Sequence, residues 1–212
     1  MIMKRIAFYI LLLFCLTPLR AQDLSTAFMN MPKDLLPHLE YDGRKALVDM
    51  YLSDKDARLQ NKMGGFTSLK KLTSNYMFLQ LTERSTLEMK MLPLVNDTHI
   101  ICRIETMKGP VADSKVTFYS TEWKLLDSSE MLKLMPAAWF IREDVDKNSF
   151  SYIESVPQLD MVMFQLKLSP EDNSLTQIYT TPEYLDKETQ KKLKPFLKEK
   201  PKVFTWNQSK FK

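Results

Sequence analysis

The chain has 212 residues, with 30 Lys and Arg against 26 Asp and Glu, and only two histidines, two cysteines and four glycines. A chain this long can bury a core without covalent staples, and its near-balanced charge lacks the basic excess of a nucleic-acid binder. So few Cys, His and Gly exclude a disulfide scaffold, the usual paired zinc motifs and Gly-rich phosphate loops.

Lys4 and Arg5 precede an almost unbroken apolar run from Ile6 to Leu16, followed by Thr17-Pro18-Leu19-Arg20-Ala21-Gln22. Charge, apolar run, helix breaker and small residue, in that order, predict a removable secretory signal over 1–21, cleaved between Ala21 and Gln22. The run is too short to cross a bilayer core of roughly 30 Å, and no later stretch approaches the length of a span. Cys15 would suit lipid attachment only after a small residue, and Phe14 stands there. Processing would remove Lys4, Arg5 and Arg20, taking 30 basic residues to 27 against 26 acidic. The remaining charge is uneven. Asp186 to Lys212 holds nine lysines against Asp186, Glu188 and Glu199, a pattern that can mark a surface for anionic partners but more often marks a solvated face.

After the signal, Asp23 can cap a short helix through Leu24, Ala27, Phe28 and Met31, closed by Pro32. Asp42 opens a second through Ala46, Leu47, Met50 and Tyr51. The period then changes to two. Gly64-Gly65 joins Arg58–Met63 to Phe66–Leu72 as a hairpin, and Thr73-Ser74-Asn75 leads into Met77, Leu79 and Leu81. Leu87, Met89 and Met91 alternate with Glu88 and Lys90, which predicts a half-buried strand with the two charges in water. Ile100, Cys102 and Ile104 share one face of the next strand, and Gly109-Pro110 turns into Val116 and Phe118. Consecutive strands with short turns make an antiparallel meander. Beyond Trp123, Met131–Ile141 is apolar but broken by Pro136, and Glu143–Ser149 is a polar loop. Leu159–Leu168 and Leu175–Thr180 form a hairpin, a lysine-rich helix runs from Asp186 to near Pro195, and Val203–Trp206 is a last strand. The predicted class is α+β, with antiparallel meander sheets packed by short helices. It divides into 22–126, helices plus meander, and 127–212, a hairpin-plus-helix unit packed with the first as one globule.

An offset of 60 residues places Pro110 on Pro170, Ser114 on Ser174, Tyr119 on Tyr179, Thr121 on Thr181 and Leu125 on Leu185 without a gap. This predicts two similar halves, each a hairpin entering a helical segment, at 126–135 and at 186–195.

Site chemistry is sparse. His38 and His99 are read as surface residues, and Cys102 as a buried thiol without nucleophilic character. No serine lies in a Gly-x-Ser-x-Gly elbow. Asp144-x-Asp146-x-Asn148 begins like a calcium loop, but Ser149 stands where the sharp turn needs glycine and Ser155 where a bidentate glutamate belongs. Asn96-Asp97-Thr98 and Asn207-Gln208-Ser209 fit the glycosylation triplet, which matters only in a eukaryotic secretory route. No catalytic, cofactor-binding or metal residue is assigned.

Ser85-Thr-Leu-Glu-Met-Lys90, Met107-Lys-Gly-Pro-Val-Ala-Asp-Ser114, Phe118-Tyr-Ser-Thr-Glu-Trp123, Thr180-Thr-Pro-Glu-Tyr-Leu-Asp-Lys-Glu188 and Val203-Phe-Thr-Trp206 span most of the chain. With these stretches it resembles a family of secreted Bacteroidales proteins catalogued only as a domain of unknown function. The resemblance implies an exported, periplasmic or extracellular location and brings no catalytic residues. The architecture also looks like the β-lactamase-inhibitor-protein type of fold, which says little about function. Three functions follow as expectations. The first is a non-catalytic binding or assembly module with an unknown protein or envelope component as partner. The second is a carrier of a small apolar or lipid ligand, with Met77, Met89, Met91, Met161 and Met163 lining a cavity. The third is an unrecognised hydrolase.

Overall fold

The computed structural model describes residues 23–212 except Met63. The predicted signal 1–21 and its cleavage point at Ala21 and Gln22 lie outside the described residues.

Seven strands follow one another in sequence order as an antiparallel meander: β1 (Arg58–Gln60), β2 (Phe66–Leu72), β3 (Tyr76–Thr82), β4 (Ser85–Pro93), β5 (His99–Lys108), β6 (Ala112–Ser120) and β7 (Leu125–Leu126). Gly64, at φ 80, supplies the left-handed backbone that the first hairpin needs. Helices α1 (Leu24–Met29) and α2 (Tyr41–Leu52) cover one face. Asp23 caps α1 by accepting the amide of Ser25. Leu24, Phe28, Leu47 and Val48 then share a core with Leu79, Leu87, Met89 and Ile101. Trp123, in the left-handed region at φ 64, staples this layer by donating its indole N–H to Ala27 O at 2.9 Å.

The opposite face carries a second antiparallel sheet of β8 (Phe164–Leu168), β9 (Ser174–Tyr179) and β10 (Lys202–Thr205), in the order β10-β9-β8. Cys102, Ile104 and Phe118 of the large sheet meet Leu166, Leu175, Phe204 and Trp206 there. Three short helices complete the chain: α3 (Phe150–Ser155), α4 (Thr181–Tyr184) and α5 (Lys187–Leu193). The class is therefore α+β with antiparallel sheets, as predicted.

The small sheet also ends on side chains of the large one. As an edge strand, β8 points alternate amides away from β9. Phe164 N donates to Asp113 Oδ1 at 3.1 Å, Leu166 N to Ser114 Oγ at 2.9 Å and Leu168 N to Glu88 Oε2 at 2.9 Å. Trp206 reaches across to Pro93 O at 2.7 Å. Gln177, wholly buried, acts as a surrogate peptide: its Oε1 accepts from Met135 N and its Nε2 donates to Met135 O, each at 2.9 Å.

Four sequence expectations are corrected. Glu88 and Lys90 are buried, because the second sheet covers the face that alternation assigned to water. Residues 126–135 form no helix; Met131–Met135 instead runs irregularly past Gln177. The strand predicted from Leu159 begins only at Phe164, with the helix α3 and a single turn over Val156–Gln158 before it. The halves are not copies in register. Ile104 pairs with Val116, so the 60-residue offset requires Phe164 to pair with Thr176, yet it pairs with Tyr179. The cause is loop length: Lys108 pairs with Ala112, but Leu168 with Leu175. That three-residue slip turns side chains over. Tyr119 faces the helix layer and stacks near Trp123, whereas Tyr179 faces the inter-sheet core beside Phe140 and Phe164.

Candidate functional site

Between α1 and α2 the chain makes a tight turn at Lys33–Leu35, a second at Leu36–Leu39, and crosses one end of the large sheet. Two buried arginines pin this crossing by its carbonyls. Arg44 donates Nη2 to Met31 O at 2.7 Å and Nη1 to Leu39 O at 3.3 Å. Arg103, rising from the middle of β5, donates Nη2 to Leu35 O at 2.8 Å and pairs with Glu105. Burial pushes the Arg44 guanidinium below its ordinary range. The Nε of each arginine is buried with no hydrogen-bond partner among the described residues, so Arg44 is held through its two η nitrogens and Arg103 through Nη2.

The pinned segment stands off the sheet and leaves a half-enclosed cleft of about 510 Å³. Leu36, Leu39, Asn61, Thr67 and Thr86 are buried at its floor, while His38, Met107, Asp113 and Lys115 are exposed at its mouth. Leu35 and Leu81 add apolar wall. Asn61 and Thr67 are already engaged within the fold. Asn61 Nδ2 donates to Leu81 O at 3.2 Å and its Oδ1 accepts from Gly65 N at 3.2 Å, and Thr67 Oγ1 donates to Leu81 O at 3.0 Å. With Asn61 and Thr67 turned to partners within the fold and leucines along the wall, the cleft favours an apolar occupant, and charge is offered only at the rim, by Glu105, Asp113 and Lys115.

The residues singled out in the sequence fall elsewhere, with one exception. His38 stands at the cleft mouth, and His99 is exposed at the start of β5 and does not line it. Cys102 is fully buried between the sheets, and burial drives its thiol pKa far up. Met77, Met89 and Met91 fill the core under the helices, and none of the five methionines lines the cleft. Met107 does, with Arg44 and Arg103 behind it, and the sequence reading missed all three. An arginine inside the run Ile100-Ile101-Cys102-Arg103-Ile104 was the available signal, since a cation in an apolar strand must find carbonyls. Asp144 is bound to Arg142, and Asp146 caps its own turn at Asn148 N. Among the described residues no three of His, Cys, Asp and Glu are grouped to hold a metal. Glu88 is a buried carboxylate whose pKa is raised by burial, but its Oε2 is occupied by Leu168 N and by the Tyr76 hydroxyl at 3.2 Å. Lys90 donates to Ser169 O at 2.7 Å. Both serve the joint between the sheets.

Fold and cleft together define a three-layer α+β protein, helices on a meander on a small sheet, with a preformed apolar cleft under a pinned crossing. The chain belongs to the family described as protein of unknown function DUF3256, which matches residues 16–211. It is similar to a solved structure described as a domain of an uncharacterized protein from Porphyromonas gingivalis W83. The two share 27% identity with a TM-score of 0.79, over 89% of this chain and 98% of that one. No curated protein matches.

Proposed function

We propose that this chain is an exported, non-catalytic binding protein of the bacterial envelope that holds a small apolar ligand in the cleft beneath residues 35–39. The observation that carries the reading is the cleft itself. Its volume of about 510 Å³ falls within the range of ligand pockets, roughly 300–1,000 Å³. Its apolar wall is rigidly placed by Arg44 and Arg103, so little ordering is needed on binding. Rim charges of both signs suit a ligand with one polar end. The leader-like sequence of residues 1–21 supports export. The likeness to the β-lactamase-inhibitor-protein type of fold is part of the same proposal and concerns architecture alone.

Titration with the neutral apolar fluorophore N-phenylnaphthylamine tests it. Saturable binding at one site is expected, weakened about tenfold by Met107→Asn, since losing the apolar area that the ligand would cover on Met107 is worth about 1.4 kcal/mol. Met107 is 62% exposed, so this variant leaves the fold intact. Absence of saturable binding, or binding indifferent to Met107→Asn and Leu81→Asn alike, would contradict the proposal.

A further inference from the structure

We propose that the face built by α3, α5 and residues 194–200 docks on an anionic lipid surface, inserting Phe150 and Ile153 among the headgroups. The inference is independent of the cleft and of its ligand.

The two helices lie side by side. Lys192 Nζ bridges to Glu154 Oε1 at 3.4 Å, and the Tyr152 ring meets Phe196 edge-on at 5.3 Å. Each helix buries one side, α3 through Ser155 and α5 through Thr189 and Leu193. At 3.6 residues per turn, Phe150 and Ile153 fall on the opposite, outward side of α3, and Lys187 and Lys191 on that of α5. Phe150 is 80% exposed and Ile153 60%. Two large apolar side chains raised together from an outward helix side are poorly placed for the core and well placed for an interface.

Past α5, the backbone of 196–198 is tied to 140–142 by Arg142 N to Phe196 O and Lys198 N to Phe140 O, each at 2.8 Å. An open groove of about 760 Å³ forms there, lined by Trp139 and by Arg142, Lys191, Lys194, Lys198 and Lys200, with Glu199 its one acid. Some of that charge is spent locally. Asp144 holds Arg142, Glu143 lies 3.7 Å from Lys198, and Glu188 and Glu154 share Lys192. Lys191, Lys194 and Lys200 have no ion-pair partner among the described residues. Exposed Phe and Ile on a helix packed against the one that carries unpaired lysines, with Trp139 lining the adjoining groove, is the composition of a peripheral membrane contact. Each lysine near an anionic surface strengthens partition about fivefold. A lipid surface also fits protruding side chains without demanding shape complementarity. An acidic macromolecule would use the lysines alone.

Co-sedimentation of the exported protein with vesicles decides the matter, comparing phosphatidylcholine alone with an equimolar mixture containing phosphatidylglycerol. Binding is expected only to the anionic vesicles and should fall as salt rises. Phe150→Ser with Ile153→Ser should lower partition at least about tenfold, and Lys191→Glu with Lys194→Glu should abolish it. All four positions are exposed, and unchanged thermal melting will show that the variants fold. No binding to anionic vesicles would overturn the proposal. So would anionic binding that ignores Phe150 and Ile153, or soluble polyglutamate competing as well as vesicles do.

Discussion

The two sheets are stabilised in different ways. In the large sheet each strand pairs with its neighbour in sequence, so continuous backbone ladders join all seven strands. The small sheet has only three short strands and is tied to the large one by side chains. Its edge amides at Phe164, Leu166 and Leu168 are closed by Asp113, Ser114 and Glu88 of the large sheet, and its central strand clasps Met135 through Gln177. A ladder tolerates substitution because its bonds are backbone. A joint made of single side chains does not.

That contrast sets the order of expected effects. Glu88→Ala should be the most damaging, by about 3–4 kcal/mol in urea unfolding, because it opens a cavity and strands Leu168 N and the Tyr76 hydroxyl in the interior. A loss under 1 kcal/mol would mean that the joint is not held there. Glu88→Gln keeps an acceptor and removes the charge, which gives a signed pH test. The folded pKa of Glu88 is raised by burial. Its protonated form therefore favours folding, and that contribution is present below the unfolded value near 4.5 and is lost as pH rises through the folded value. As pH rises above the ordinary Glu range, the wild type should lose stability relative to Glu88→Gln. A constant difference between the two would remove the buried carboxylate from the account.

Gln177→Ala should cost about 2 kcal/mol, since the backbone N–H and C=O of Met135 both lose their partner. Calorimetry on this variant separates a clasp from a contact of convenience, and an unchanged Tm would show the latter. The smallest effect belongs to the large sheet. Thr117 Oγ1 approaches Arg103 O at 3.5 Å within a complete β5–β6 ladder, so Thr117→Ala should change stability by no more than about 0.5 kcal/mol. A cost as large as that of Gln177→Ala would erase the distinction between the sheets.

The same contrast explains what could be read from the sequence. The meander was legible because alternation and turn residues are local: Gly64, Thr73-Ser74-Asn75 and Gly109-Pro110 mark strand ends that the structure keeps. The burial of Glu88 and Lys90 was not, because a period of two assigns a polar phase to water, and only a second layer from 80 residues downstream reverses it. The false 60-residue repeat has a similar origin. Tyr119 and Tyr179 match as letters, but register depends on the loop between Leu168 and Leu175, and letters do not fix that pairing. Of the cleft, His38 is the one candidate site residue that the sequence marks. The crossing that roofs it depends on Arg44 and Arg103 reaching carbonyls 13 and 68 residues away, a long-range fact with only a local hint, the cation among isoleucines.

Native-state hydrogen exchange at the amides of Phe164, Leu166 and Leu168 tests the central claim, that side chains of the large sheet close the edge of the small one. These amides face away from β9, so a free edge would exchange them at the rate of exposed backbone. Protection comparable to the β8–β9 ladder is expected, with Leu168 losing it selectively in Glu88→Ala. Rapid exchange of all three in the wild type would contradict it.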